Sequence, residues 1–147
     1  MISTRRCAGL ACDMVVMDFI FPYAETTNNV TVRVAPRYLP DQSDPRAPRH
    51  VWSYHVRVEN HGLAPVQLVA RHWRITDGEG RTEAIDGPGV IGQQPHIDSG
   101  GAFDYVSGCP LATPAGRMEG HYDMVGEAGA FAARIPAFRL ERTPADD

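Results

Sequence analysis

Three glycines, Gly87, Gly89 and Gly92, follow the pattern G-x-G-x-x-G, which is typical of phosphate-binding loops. In dinucleotide-binding folds the pattern follows a strand and opens a helix, whose first amides hold the pyrophosphate. Pro88 has no amide proton, and Gln93-Gln94-Pro95 cannot begin such a helix. Amides between Gly89 and Gly92 could still form a small anion nest. The three glycines are therefore a candidate anion loop, with structural turn glycines as the alternative.

A histidine pair is the second candidate for chemistry. His72 and His121 lie in predicted strands and could meet across a sheet, with Asp123 on the same face as His121. Imidazole suits cobalt or zinc, whereas magnesium prefers oxygen ligands. The sequence contains no His-x-His or His-x-x-x-His spacing. We therefore predict no metal ion and no cofactor, with a hydrogen-bonded, partly buried His72 and a solvated His121.

Catalytic groups are not indicated by the residue order. Ser107 ends a predicted strand and Cys109 lies in the connection that follows it, but nothing in the sequence specifies a base beside them. Every basic residue is Arg, which excludes a lysine nucleophile and a P-loop lysine. We predict that the protein is not an enzyme.

The stretch from Ala64 to Pro95 organises the predicted fold. Residues 66–76 are rich in β-branched and aromatic side chains, which predicts a strand. Its large residues change face midway, which indicates either a bulge or a strand that leaves one sheet for another. Residues 77–80 favour a tight reversal into a returning strand at residues 81–85. Five Gly and two Pro predict a long structured loop over residues 86–101.

The other predicted strands show alternation of apolar and polar residues. A Pro-rich connector is predicted over residues 36–49, a crossing connection over residues 108–116, and a kink or edge position at Pro136. About seven to eight strands predict an all-β fold, an immunoglobulin-like or fibronectin type III-like sandwich of two antiparallel sheets. The strands are expected at residues 30–35, 50–60, 103–107, 118–124 and 130–141.

Composition excludes several classes of function. A chain of 147 residues with 43% hydrophobic and 22% charged content is an ordinary globular domain. Its formal charge of -4 provides no basic surface for nucleic acid, and no segment is long and apolar enough to cross a membrane. Three cysteines without a Cys-x-x-Cys motif support neither zinc nor a disulfide framework, so a cytoplasmic location is predicted.

The chain ends are expected to lie outside the folded domain. Residues 1–27 are predicted to be a poorly ordered extension or a misannotated start, with Met17 as an alternative first residue. Residues 28–141 form the predicted domain, and residues 142–147 a frayed tail.

Five ordered phrases lie within residues 28–141: VRVAPRYLPDQSDP from Val32, PVQLVARHWRITDGEGR from Pro65, GPGVIGQQP from Gly87, YVSGCPLATPAGRMEGHY from Tyr105 and IPAFRL from Ile135. Together these phrases resemble the ApaG family. The resemblance implies a fibronectin type III-like sandwich and no established catalytic residue. It also implies a genetic link to cobalt and magnesium resistance or efflux in bacterial relatives, and binding-module roles in eukaryotic F-box proteins and a DNA-polymerase-interacting protein.

Two functions follow as expectations. The first is a noncatalytic ApaG-type module that binds an unidentified protein partner, as a monomer or homodimer, with a link to cobalt and magnesium resistance. The alternative is a phosphate or nucleotide ligand held by the Gly87–Gly92 loop. Neither expectation includes nucleic acid or a membrane as a partner.

Overall fold

A computed structural model of the protein describes Met17, residues 20–44 and residues 46–142. Within these ranges a 3-10 turn lies at Pro40–Gln42, and no helix is long and apolar enough to cross a membrane. The described residues form nine strands: β1 (Tyr23–Thr27), β2 (Val30–Tyr38), β3 (His50–Asn60), β4 (Val66–Asp77), β5 (Thr82–Pro88), β6 (His96–Ile97), β7 (Ala102–Leu111), β8 (Gly116–Gly126) and β9 (Gly129–Leu140).

The strands form two antiparallel sheets that pack face to face. The first sheet has the order β1-β2-β3-β7. The second has the order β5-β4-β8-β9, and the short β6 also pairs with β4. The predicted all-β sandwich is therefore confirmed, with nine described strands instead of seven to eight. Its finer description as immunoglobulin-like or fibronectin type III-like stays a prediction.

The core lies between the two sheets and is built from the inward-facing residues, which alternate with outward-facing residues along each strand. Phe138 contacts Trp73 edge to face, with ring centroids 5.9 Å apart, and Tyr54 lies 5.4 Å from the same indole. The hydroxyls of Tyr105 and Tyr122 hydrogen-bond across the two sheets. Each fully buried apolar side chain of this size contributes about 1.5 to 3 kcal/mol. Trp73 is buried in this core.

Two strands, β2 and β7, continue through prolines that lie beyond their predicted ends. Strand β2 continues through Pro36 into the predicted connector, because β1 pairs with β2 only as far as Val34 and leaves the next residues without a second neighbour. Pro110 lies in the edge strand β7, which therefore runs past its predicted end at residue 107. A missing amide proton costs no ladder hydrogen bond at such positions.

The segment predicted as a loop over residues 86–101 is partly strand. Strand β5 pairs with β4 as far as Pro88, and β6 pairs with the first residues of β4. The predicted bulge in β4 is confirmed by a register shift between Leu68 and Ala70. A second shift, opposite Pro136, lies in the edge strand β9 and confirms the predicted kink or edge position.

Strand β1 lies within the residues that the sequence analysis assigned to the N-terminal extension. It pairs with β2 from Tyr23 to Thr27 and also contacts β9 of the other sheet. The Arg134 guanidinium lies 3.1 Å from the Glu25 carboxylate, and the Arg134 amide donates to Thr27 Oγ1. These bonds close one side of the sandwich. The predictions for residues 1–16 and 143–147 fall outside the described residues.

Candidate functional site

The two histidines singled out in the sequence meet on the outer face of the second sheet. The register of β4 and β8 places His72 directly opposite His121. Their rings stack with centroids 4.6 Å apart and an interplanar angle of 23°. Antiparallel pairing explains the contact, because directly opposite residues have neighbouring Cβ atoms on one face.

Two carboxylates complete this cluster, which we call the His–Asp cluster (His72, Asp86, His121 and Asp123). His72 Nδ1 lies 2.6 Å from Asp86 Oδ1, and His72 Nε2 lies 2.7 Å from Asp123 Oδ2. The other oxygen of Asp123 lies 3.4 Å from His121 Nε2. Ala70, opposite Asp123 in the register, has a single methyl group, so the carboxylate has room to turn toward His72. Asp123 thus faces both imidazoles.

The cluster changes the protonation of His72. Hydrogen bonds to Asp86 and to Asp123 raise the pKa of His72 above its ordinary value of 6.5. An imidazole that donates from both nitrogens is the charged imidazolium. Contact of both ring nitrogens with carboxylates therefore favours the charged form of His72.

A cavity of about 450 Å³ opens beside the two histidines. It lies on the outer sheet face, where Ala84 of β5 and Ala132 of β9 leave space beside the larger side chains of the central strands. Arg74, Glu119 and Arg134 provide charges of both signs at its walls. The cavity gives a small ligand or ion access to the imidazoles.

The donor atoms of three residues in the cluster are close enough to share one ion. One atom each from His72, His121 and Asp123 lies within 4.8 Å of the other two. The sequence indicated that these residues could meet, but it lacked a recognised ligand spacing and so we predicted no metal. Asp86 was missed because its segment was predicted to be a loop instead of a strand.

The predicted anion loop is a tight turn after β5. Gly87 lies in β5 opposite Arg71, and the Gly89 amide donates to the Val69 carbonyl. The Val90 amide donates to the Gln93 carbonyl, and the Val90 side chain is buried. Two of the amides in the predicted nest are therefore used in backbone pairing.

The tip of that turn is formed by Ile91 and Gly92, which both have positive φ angles. Ile91 points outward and is 54% exposed. Arg71 Nη1 donates to the carbonyls of Pro88 and Gly89 and so fixes the start of the turn. The anion loop stays a prediction that now depends on the amides of Ile91 and Gly92.

A second surface of interest is the edge strand β7, on the side of the sandwich away from β1. Strand β7 pairs with β3 and, among the described residues, is the last strand of its sheet. Asp104, near its start, contacts Arg57 Nη1 at 2.8 Å and His55 Nε2 at 2.8 Å. Val106, in the middle of the strand, is 58% exposed. The middle of β7 therefore presents an exposed apolar side chain on an open strand.

Comparisons with known proteins agree on one family. The family model described as "DUF525: ApaG domain" matches residues 40–126. A Protein ApaG of Rhodospirillum centenum is 53% identical over 120 residues, which covers 81% of this chain and 92% of that protein. A Protein ApaG of Mesorhizobium japonicum is 48% identical with the same coverage. The crystal structure of the putative ApaA protein from Bordetella pertussis has a TM-score of 0.76 at 49% identity, covering 78% of this chain and 94% of that one. These descriptions name no chemical reaction.

Proposed function

The chain belongs to the ApaG family, and from this premise we propose that it is a noncatalytic binding module that captures an extended segment of a partner protein along strand β7. The proposal places the module in the cytoplasm, as a monomer or homodimer. It includes the link to cobalt and magnesium resistance that the resemblance implies, with the module acting through its partner.

The observation that carries this proposal is the difference between the two sides of the sandwich. On one side, β1 and β9 are joined by the Arg134–Glu25 ion pair and by the bond from the Arg134 amide to Thr27. On the other side, β7 ends its sheet. An edge strand offers backbone donors and acceptors that an added strand can pair with. The open side is therefore the place where backbone recognition is available.

Strand β7 suits this role better than β5, the last strand of the second sheet. Charged residues and prolines protect natural edges from pairing. Strand β5 carries Glu83 and Asp86 and ends at Pro88. Strand β7 also carries one charge, Asp104, and one proline, Pro110, but the run from Val106 to Cys109 between them has neither. An added strand could bury Val106 there, and this burial supports specificity for an apolar partner residue.

Photo-crosslinking in cells tests the proposal. A photoreactive amino acid at position 106 is expected to give a discrete adduct, whereas the same group at position 125 is not. Val125 is a matched control because it is 44% exposed but lies in the interior strand β8. Equal adducts at both positions, or none at position 106, would count against an edge site.

The crosslinked partner then allows a binding measurement. Val106→Lys is expected to lower the affinity for the purified partner by about tenfold or more, because an edge lysine opposes strand addition. Val125→Lys is expected to leave affinity unchanged, and both surface changes should alter stability by no more than about 0.5 kcal/mol. Calorimetric titration of the partner into each variant provides the comparison. Wild-type affinity in Val106→Lys would contradict the proposal.

The phosphate-binding alternative has its own test at the Gly87–Gly92 loop. Because the Gly89 and Val90 amides already donate to carbonyls, we expect pyrophosphate and ATP to cause no saturable shift of the loop amides in NMR spectra. Saturable shifts at Ile91 and Gly92 would instead favour the phosphate ligand. Unchanged shifts in Gly92→Ala would then show that the glycine pattern is not responsible for it.

A further inference from the structure

We propose that His72, His121 and Asp123 form a binding site for a divalent transition-metal ion of borderline softness, such as Zn²⁺, Co²⁺ or Ni²⁺. The site lies on the outer face of the second sheet and shares no residue with strand β7. Failure at one surface therefore leaves the other proposal standing.

The placement of the donor atoms carries this inference. Both His72 Nε2 and His121 Nε2 face the Asp123 carboxylate, at 2.7 Å from Oδ2 and 3.4 Å from Oδ1. Ligand atoms around a tetrahedral ion with bonds of about 2.0 to 2.1 Å lie roughly 3.4 Å from one another. An ion can thus be reached from these positions by side-chain rotation, with the strand backbones in place. Two paired strands hold all three residues, so the site needs no folding of a loop.

Asp86 supports the same assignment from outside the ligand set. Its Oδ1 accepts from His72 Nδ1 at 2.6 Å, which leaves Nε2 directed toward Asp123. Metal-binding histidines commonly donate their second ring N–H to a carboxylate, which fixes the tautomer and the ring orientation. Asp86 is therefore a positioning residue for His72.

The donor set selects the class of ion. Two imidazole nitrogens and one carboxylate oxygen match Zn²⁺, Co²⁺ and Ni²⁺, whereas Mg²⁺ requires mostly oxygen ligands and retains its waters. Three protein ligands leave at least one coordination position open. The adjoining cavity of about 450 Å³ gives water or a small anion access to that position.

Cobalt titration of the full chain at pH 7.5 tests the site. A Cys7→Ser, Cys12→Ser background removes the two thiols outside the described residues. We expect one saturable equivalent of Co²⁺ with a visible absorption spectrum of nitrogen and oxygen coordination, and Mg²⁺ binding at least about tenfold weaker. His121→Ala and Asp123→Ala are each expected to lower the affinity for Co²⁺ by about 100-fold or more. Asp86→Asn is expected to lower this affinity by about 10- to 100-fold.

His55→Ala is the matched control for these variants. His55 also contacts a carboxylate, Asp104, at 2.8 Å, and is similarly exposed, but it belongs to the other sheet. Its loss should change Co²⁺ affinity by less than about twofold, and Zn²⁺ should raise the Tm of this variant but not that of His121→Ala. No saturable uptake, uptake that survives in His121→Ala, or an equal loss in His55→Ala would overturn the metal site. The His–Asp cluster would then be a cross-strand ion-pair network.

Discussion

Glu59→Ala is expected to lower the free energy of unfolding by about 3 to 5 kcal/mol, the usual cost of removing one partner from a buried ion pair. The Glu59 side chain is 8% exposed, and that of Arg33 on the neighbouring strand is 5% exposed. Their atoms Oε2 and Nε are 3.0 Å apart. The substitution leaves the guanidinium of Arg33 buried without this carboxylate, so Arg33 loses a charge-assisted hydrogen bond at a position with little access to water.

Two further residues make Glu59 the centre of a network. Arg57 Nε lies 2.9 Å from the same Oε2, and His61 Nε2 lies 2.9 Å from Oε1. Glu79→Ala is the matched control, since it removes an ion pair with Arg81 whose two side chains are 66% and 64% exposed. That change should cost no more than about 1 kcal/mol. Urea unfolding of both variants measures the difference, and equal midpoints would mean that the buried network contributes nothing.

The same network makes this difference depend on pH. Burial by itself raises the pKa of Glu59, but hydrogen bonds from Arg57, His61 and Arg33 outweigh it and lower the pKa below its ordinary 4.5. A carboxyl group with a lowered pKa stabilises the fold above its unfolded-state value, and this contribution is lost as the pH falls through the folded-state value. The difference in free energy of unfolding between wild type and Glu59→Ala should therefore be constant between about pH 6 and 7. It should shrink below about pH 4. A gap that grows on acidification would contradict this sign.

Local alternation was sufficient to predict the strands that form the core. Val30, Val32 and Val34 predicted β2, and the change of face after Leu68 predicted the bulge in β4. Both patterns arise because one face of each sheet is buried, which imposes a period of two. The predicted end of β2 at Pro36 was wrong because a strand tolerates proline where its neighbour has ended, and the end of β1 cannot be recognised from Pro36 itself.

The candidate site was predicted only in part because register is a long-range property. The residue types of His72, His121 and Asp123 suggested a meeting, but only the pairing of β4 with β8 determines which residues are opposite. Asp86 required the extension of β5 into a glycine-rich segment. Glu59 is buried beside Arg33 of the adjacent strand, a contact that the alternation within β3 does not reveal. In each case the missing information was the identity of a neighbour from another strand.

Gly120→Ala is expected to lower the free energy of unfolding by about 3 kcal/mol or more, at or beyond the upper end of overpacking costs. A Cβ atom at Gly120 would lie 2.0 Å from the His72 carbonyl oxygen and 3.1 Å from the Trp73 Cα. Strand β8 is hydrogen-bonded to β4 on one side and to β9 on the other. It therefore cannot move away from His72 without compressing or breaking the other ladder.

Gly108→Ala separates this steric effect from the general effect of replacing a strand glycine. Gly108 pairs with Ser53 in the first sheet, and its nearest contact for a new Cβ is the Trp52 carbonyl at 3.6 Å, an ordinary van der Waals distance. Alanine should be neutral there or stabilise by about 0.4 to 1 kcal/mol, because it restricts the unfolded chain. In denaturant unfolding, the free energy of unfolding is therefore expected to fall in Gly120→Ala and to stay unchanged or rise in Gly108→Ala.

Gly120→Ala also tests whether the His–Asp cluster depends on the spacing between β4 and β8. Forcing β4 away from β8 at Gly120 displaces His72 from Asp123, whose atoms are 2.7 Å apart in the wild type. The histidine side-chain resonances of folded Gly120→Ala should then show a lower pKa for His72, since one of the hydrogen bonds that raises it is lost. Equal unfolding free energies for Gly120→Ala and Gly108→Ala, with an unchanged His72 titration, would mean that the two strands separate freely at this point. The cluster would then be held by its side chains alone.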